Sequence, residues 1–193
     1  MKNMSLPESL TCFDDLCAAY GEKYRYYHTS EHISAMLRHF DDAAELAHYP
    51  YEVELAIWFH DAIYKPFSSR NELNSARWAK TFLLELGYDS AGAKRVYRLI
   101  MATCHQGNVV VHDEQLIVDI DLSILGAPKP VYDAFEHNVH QEYRLIPGFI
   151  YRKKRKAILK SFLSRNHIYH LNYFQDKFEQ VARENIQSAL QKL

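Results

Sequence analysis

From about residue 30 onward, apolar side chains recur at the three- and four-residue spacing of helices almost without interruption. Ile33, Met36, Leu37, Phe40, Ala44 and Ala47 line one face of a first helix, with Thr29 or Ser30 placed to cap it. The next run, Tyr51 to His60, spreads Val53, Leu55, Ala56, Ile57, Trp58 and Phe59 around the whole circumference, which predicts a central helix buried on most sides. A third is expected from Ser69, where Ser69 and Glu72 have capping-box spacing, through Leu73, Ala76, Leu83 and Leu86 to a stop at Gly87. Val96, Leu99, Ile100 and Thr103 mark a fourth that ends by Gly107, and a short fifth runs from Asp113 to Leu125. Pro128 starts a sixth, with Val131, Phe135, Val139 and Glu142, and Pro147-Gly148 separates it from a seventh carrying Ile158, Leu159 and Phe162. The last helix, capped by Asn172, has Phe174, Phe178, Val181, Ala182 and Ala189 as its stripe and Glu179–Arg183 as an outer ion pair. LIVDI in the fifth segment is β-prone, but no partner strand is apparent, so the expected class is all-α.

A chain of 193 residues suits one domain spanning 1–193, and no repeat or linker divides it. Lys plus Arg number 23 against 24 Asp plus Glu, which removes the global basic field of a nucleic-acid or acidic-membrane binder. A small-molecule partner is expected, with no nucleic acid and no membrane; the oligomeric state is open. Cys12, Cys17 and Cys104 are odd in number and form no CxxC pair, so neither a disulfide framework nor a thiolate zinc site is expected. Without a signal-like apolar run near its start, the chain is expected to be cytoplasmic.

The chemistry begins at the end of the central helix. A buried His60-Asp61 pair in WFHDAIY costs several kcal/mol, on the order of the penalty for desolvated charge, unless something neutralises it. Alone, the dipeptide is explained equally well by a polar helix terminus. It gains weight from His28 and His32 in YHTSEH, four residues apart at the start of the first helix. A further carboxylate is available in VDIDLSILG, where Asp119 and Asp121 lie about 200° apart on a helix. Asp121 shares a face with Ile117, Ile124 and Leu125, whereas Asp119 is expected to support a histidine or to meet water.

These motifs resemble the HD-domain superfamily of metal-dependent phosphohydrolases, whose signature is a His, a His-Asp pair and a distant Asp on helices. The likeness is closer to a bacterial family of predicted HD phosphohydrolases marked by YHTxxH, ELAIWFHDAxY, NExxSA and DxDLxILG, here YHTSEH, ELAIWFHDAIY, NELNSA and DIDLSILG. It extends through EYRLIPGF, FLSRNHIY and VARENI, about residues 20 to 190. It implies an HD-type helical bundle and a divalent ion held by His32, His60, Asp61 and Asp121. Two imidazoles and two carboxylates suit Mn, Fe, Co, Ni, Zn or Mg without selecting among them. The implied chemistry is activation of water for in-line attack on phosphorus.

His28 is similar in position to the histidine of YHNxxH phosphodiesterases that protonates the leaving oxygen, and a surface histidine before a helix cap is the alternative. His105 is expected near the site, although it could equally answer its helix dipole. Glu72 could serve a second metal, against the capping box that already accounts for it. Tyr64 stands where HDxxE-type nucleotidases carry a catalytic Glu, so that base assignment does not transfer. Arg25, Lys65 and Arg155 are the cations expected to hold phosphate, while most of RKKRK at 152–156 reads as a solvated face. Tyr24, Tyr26, Tyr27, Trp58, Phe59, Tyr64 and Phe67 could stack on a base or sugar, or simply pack. The expected activity is that of a phosphomonoesterase on a nucleotide or other small phosphate ester. The alternatives are a cyclic-nucleotide or dinucleotide phosphodiesterase and a non-catalytic, metal-stabilised nucleotide-binding module.

Overall fold

The structure, a computed structural model, describes residues 6–105 and 107–193, with side chains from Thr11 onward. Among the described residues the regular elements are all helical: α1 (Leu6–Tyr20), α2 (Ser30–Ala43), α3 (Pro50–Phe59), α4 (Asn71–Glu85), α5 (Ser90–Ala102), α6 (His112–Leu122), α7 (Lys129–Glu142), α8 (Gly148–Leu163) and α9 (Asn172–Lys192). Short 3-10 turns follow α2, at Ala44–Leu46, and α6, at Ser123–Gly126. LIVDI is therefore helix. The α1 segment was not expected from the pattern, although Cys12, Leu16 and Tyr20 are buried at four-residue intervals along it.

By their contacts the described residues form two compact units, one up to Val118 and one from Asp119 to Leu193. In the first, α3 packs against α2, α4 and α5, and its Val53, Ala56, Ile57 and Phe59 are buried. One side of this helix stays open, however: Tyr51 and Glu54 are exposed and Leu55 and Trp58 half-buried, so its apolar circumference is not buried all round. Pro50 opens it at a position where a missing N–H costs nothing. Asp113, from the first turn of α6, accepts hydrogen bonds from the backbone N–H groups of His48 and Tyr49, each at 2.9 Å, and so caps α3 from elsewhere in the sequence. Buried Glu52 takes a two-pronged bond from Arg95, with both contacts at 2.7 Å.

The capping box expected at Ser69 does not form. α4 begins at Asn71 after Arg70, and the Ser68 hydroxyl accepts from the Arg70 N–H instead. Gly87 does close α4, in the left-handed region at φ 74°.

In the second unit, α9 packs on the turn Ser123–Gly126 and against α7 and α8. A Cβ on Gly126 would lie 2.6 Å from the Phe178 Cβ and 2.9 Å from the Phe178 backbone oxygen, so only glycine permits this approach. Asn172 does not cap α9; it is the first helical residue. The cap comes from Asp119, whose oxygens accept from the His170 and Leu171 N–H groups at 2.7–2.9 Å. The Glu179–Arg183 pair exists, at 2.8 Å, but is not merely an outer pair. Glu179 also accepts from the Ile168 and Tyr169 N–H groups, and Arg183 donates to the carbonyls of Leu163, Arg165 and Asn166.

Candidate metal centre

Thr29 caps α2 by accepting from the Glu31 N–H, which fixes His32 in the first turn with its ring buried beside Tyr27. His60 is the residue at which α3 ends, still in helical geometry. Its Nδ1 lies 2.8 Å from the Ile57 carbonyl, which can only accept, so Nδ1 carries the proton and Nε2 presents its lone pair. The imidazoles of His32 and His60 have centroids 5.3 Å apart. Ligand atoms of His32, His60 and Asp121 all lie within 4.8 Å of one another, and this group could hold a metal ion.

Asp61 is not in that mutually close set, but its Oδ2 is 3.0 Å from His60 Nε2. With the His60 proton committed to Ile57, Nε2 and Oδ2 are two acceptors facing each other. Such a contact is stable only with a cation, either a proton or a metal, to share. The donor chemistry therefore fits a divalent ion with nitrogen and oxygen preferences, in a site that offers no thiolate.

The loop after α3 is pinned from two sides. Arg25, a cation expected to hold phosphate, is instead fully used inside the protein. Its guanidinium donates to the carbonyls of Asp61 (2.6 Å), Ala62 (3.0 Å) and His28 (3.3 Å), and to the Glu22 carboxylate (2.9 Å). The rings of Tyr20 and Tyr64 flank it. With its side chain sealed from solvent, it has no donor left for a substrate. On the other side, Asn71 exchanges two hydrogen bonds with the backbone of Lys65, and the Ser75 hydroxyl accepts from the Ile63 N–H. Asn71 and Ser75 entered the sequence reading only as positions of NELNSA, with no role given to either. Their signal was two short polar residues at i, i+4 on an otherwise apolar helix face.

His28 reaches the same place from the turn before α2. Its ring stacks on Tyr64 with centroids 4.1 Å apart, and its Nε2 is 4.0 Å from Asp61 Oδ2. Lys65 is exposed at the loop rim. His105 follows α5 in the left-handed region at φ 54° and is not part of the mutually close set. The Cys104 thiol is pushed up to about 11 by burial and by Glu72, so it carries little thiolate near neutrality. Arg155, the remaining phosphate candidate, pairs with Glu136 at 2.6 Å in a buried, two-pronged contact and is not available to a substrate.

Position on the helix does not separate Asp119 from Asp121, because α6 is buried all the way round from Leu116 to Ile120. Their partners do separate them. Asp119 is fully buried and neither supports a histidine nor meets water; it caps α9. Burial pushes its carboxyl up to about 7, against the backbone N–H bonds that favour the anion. Asp121 is half-buried and lies with the two histidines. Asp121→Asn is therefore expected to lower metal content at least tenfold with little loss of stability. Asp119→Asn should keep the metal and lower the unfolding free energy by about 1–3 kcal/mol, since an amide cannot accept all of these N–H bonds. Elemental analysis and urea unfolding of the two variants separate these outcomes.

No family model, curated protein or solved structure matches this chain.

Proposed function

We propose that this chain is an HD-type metal-dependent phosphohydrolase, acting as a phosphomonoesterase on a nucleotide or other small phosphate ester. One observation carries the reading: His32, His60 and Asp121 offer ligand atoms within 4.8 Å of one another, with the Asp61 carboxylate against His60. A divalent ion in such a donor set supplies a Lewis acid for a phosphoryl oxygen and lowers the pKa of a water beside it. His60 offers Nε2 because Ile57 holds its other proton. Arg25 fixes the backbone of His28 and of Asp61 to each other, so the two motifs keep one geometry.

His28 is the residue suited to a proton at the leaving group. It is one-fifth exposed, held flat by Tyr64, and adjacent to the donor set without belonging to it. His28→Ala is expected to keep its metal and to lose about 10²- to 10⁴-fold in turnover on esters with poor leaving groups. It should lose far less on p-nitrophenyl phosphate, whose leaving group needs little protonation. An equal loss on both substrates, or loss of metal, would remove the acid role.

The test of the whole reading is elemental analysis of the purified protein, then a panel of phosphate mono- and diesters with each of Mn, Fe, Co, Ni, Zn and Mg. Release of inorganic phosphate from monoesters, dependent on metal, is the expected result. Diester cleavage without free phosphate would replace it with the phosphodiesterase reading. Metal that raises the melting temperature with no ester turned over would leave a binding module.

A further inference from the structure

The near-neutral charge of the chain conceals a local imbalance. Between Tyr143 and Gln175 there is no Asp or Glu, while the same stretch carries eight Lys and Arg: Arg144, Arg152, Lys153, Lys154, Arg155, Lys156, Lys160 and Arg165. Most of these lie on α8, within the second unit. The helix has one committed side, where Tyr151, Leu159 and Phe162 are buried and Arg155 turns inward to Glu136. At 100° per residue, Phe149, Lys153 and Lys160 fall on the opposite side, with Lys156 close by. Phe149, Lys153 and Lys160 are exposed and Lys156 is half-exposed.

Two large apolar side chains accompany the cations. Phe149, in the first turn of α8, is 68% exposed, and Leu145, in the turn before it, is 79% exposed. Neither exposure contributes to folding, and a Leu and a Phe held out beside a row of lysines mark a surface that meets something both anionic and apolar. A duplex offers phosphates, but it takes an apolar side chain only inside a groove, against a thymine methyl or wedged between base steps. An anionic bilayer offers phosphate headgroups at the level of the lysine ammonium groups and acyl chains just below them.

We propose that the outward face of α8, through Lys153, Lys156 and Lys160 with Phe149 and Leu145 at its leading end, docks this protein on an anionic lipid surface. The binding is peripheral: among the described residues no helix is long and apolar enough to cross a membrane. It is independent of the chemistry at the metal centre, and it departs from the expectation of no membrane partner.

The test is co-sedimentation of the full-length chain with phosphatidylcholine vesicles, with and without phosphatidylserine, at about 0.1 M and about 1 M salt, where the screening length falls from about 10 Å to about 3 Å. Binding to the phosphatidylserine vesicles that is lost on the neutral ones and at high salt is expected. A basic side chain at an anionic surface changes partitioning about fivefold, equivalent to ~1 kcal/mol. Lys153→Gln with Lys160→Gln should therefore weaken partitioning about 25-fold. Phe149→Ala should weaken it several-fold without changing the salt dependence. All three positions are exposed, so an unchanged circular dichroism spectrum is expected of the variants. Equal binding to neutral and anionic vesicles, no binding to either, or tighter binding to a short RNA or DNA than to vesicles would each overturn the proposal.

Discussion

His60→Ala is expected to leave a helical protein that no longer retains a divalent ion. In the wild type, a chelator should lower the melting temperature of the metal-loaded protein. An ion present at about 100 times its dissociation constant adds about 2.7 kcal/mol to the native state. For a chain of this size that corresponds to roughly 5–10 °C. The variant should show no chelator-dependent shift at all. Alanine also removes the Nδ1 contact to Ile57 and leaves a small void, so its metal-free melting temperature can fall on its own account. His60→Gln, which keeps bulk and polarity, controls for that: it too should lose the chelator response. Metal content equal to wild type in both variants would show that the His32, His60 and Asp121 group is not the binding site.

The helical periodicity was legible because tertiary packing follows it. The stripe of α2 and the side of α3 that carries Val53, Ala56, Ile57 and Phe59 are faces that the structure buries, while Leu55 and Trp58, apolar but only half-buried, lie on a side of α3 that periodicity did not mark as open. Helix ends were less legible, since the acceptor that meets their free N–H groups can come from anywhere in the fold. Two α6 carboxylates, Asp113 and Asp119, cap α3 and α9 across 64 and 51 residues of sequence or more, and no local pattern encodes such a partner. The residues of the metal group were visible as motifs, because His and Asp in apolar helices are conspicuous. The roles of their neighbours were not. Asn71, Ser75 and Arg25 bond to backbone atoms, and a backbone acceptor leaves no trace in a list of side chains. Arg155 misled for the same reason as Arg25: both are cations near the expected chemistry, and the sequence does not show that Glu136 or a set of carbonyls already holds them.

Arg25 gives the clearest contrast between those two interpretations. A phosphate-binding arginine at the surface of a site changes KM when it is replaced and hardly changes stability. The observed Arg25 is sealed from solvent and satisfies three carbonyls from two segments 36 or 37 residues away or close by in sequence, together with Glu22. Removing it leaves those carbonyls to find water and opens the contact between the turn carrying His28 and the end of α3. Arg25→Ala is expected to lower the unfolding free energy by about 3–5 kcal/mol, the range for breaking a buried charged network, which is a large share of the 5–15 kcal/mol typical of a domain. Arg25→Lys should recover little of it, because a single ammonium cannot span carbonyls arranged for a planar fork. Under the proposed phosphatase activity, both variants should lose kcat through the displaced His28 and Asp61, with KM changed less than kcat. Urea unfolding and steady-state kinetics on the same samples decide it. Unchanged stability with a raised KM would return Arg25 to substrate binding.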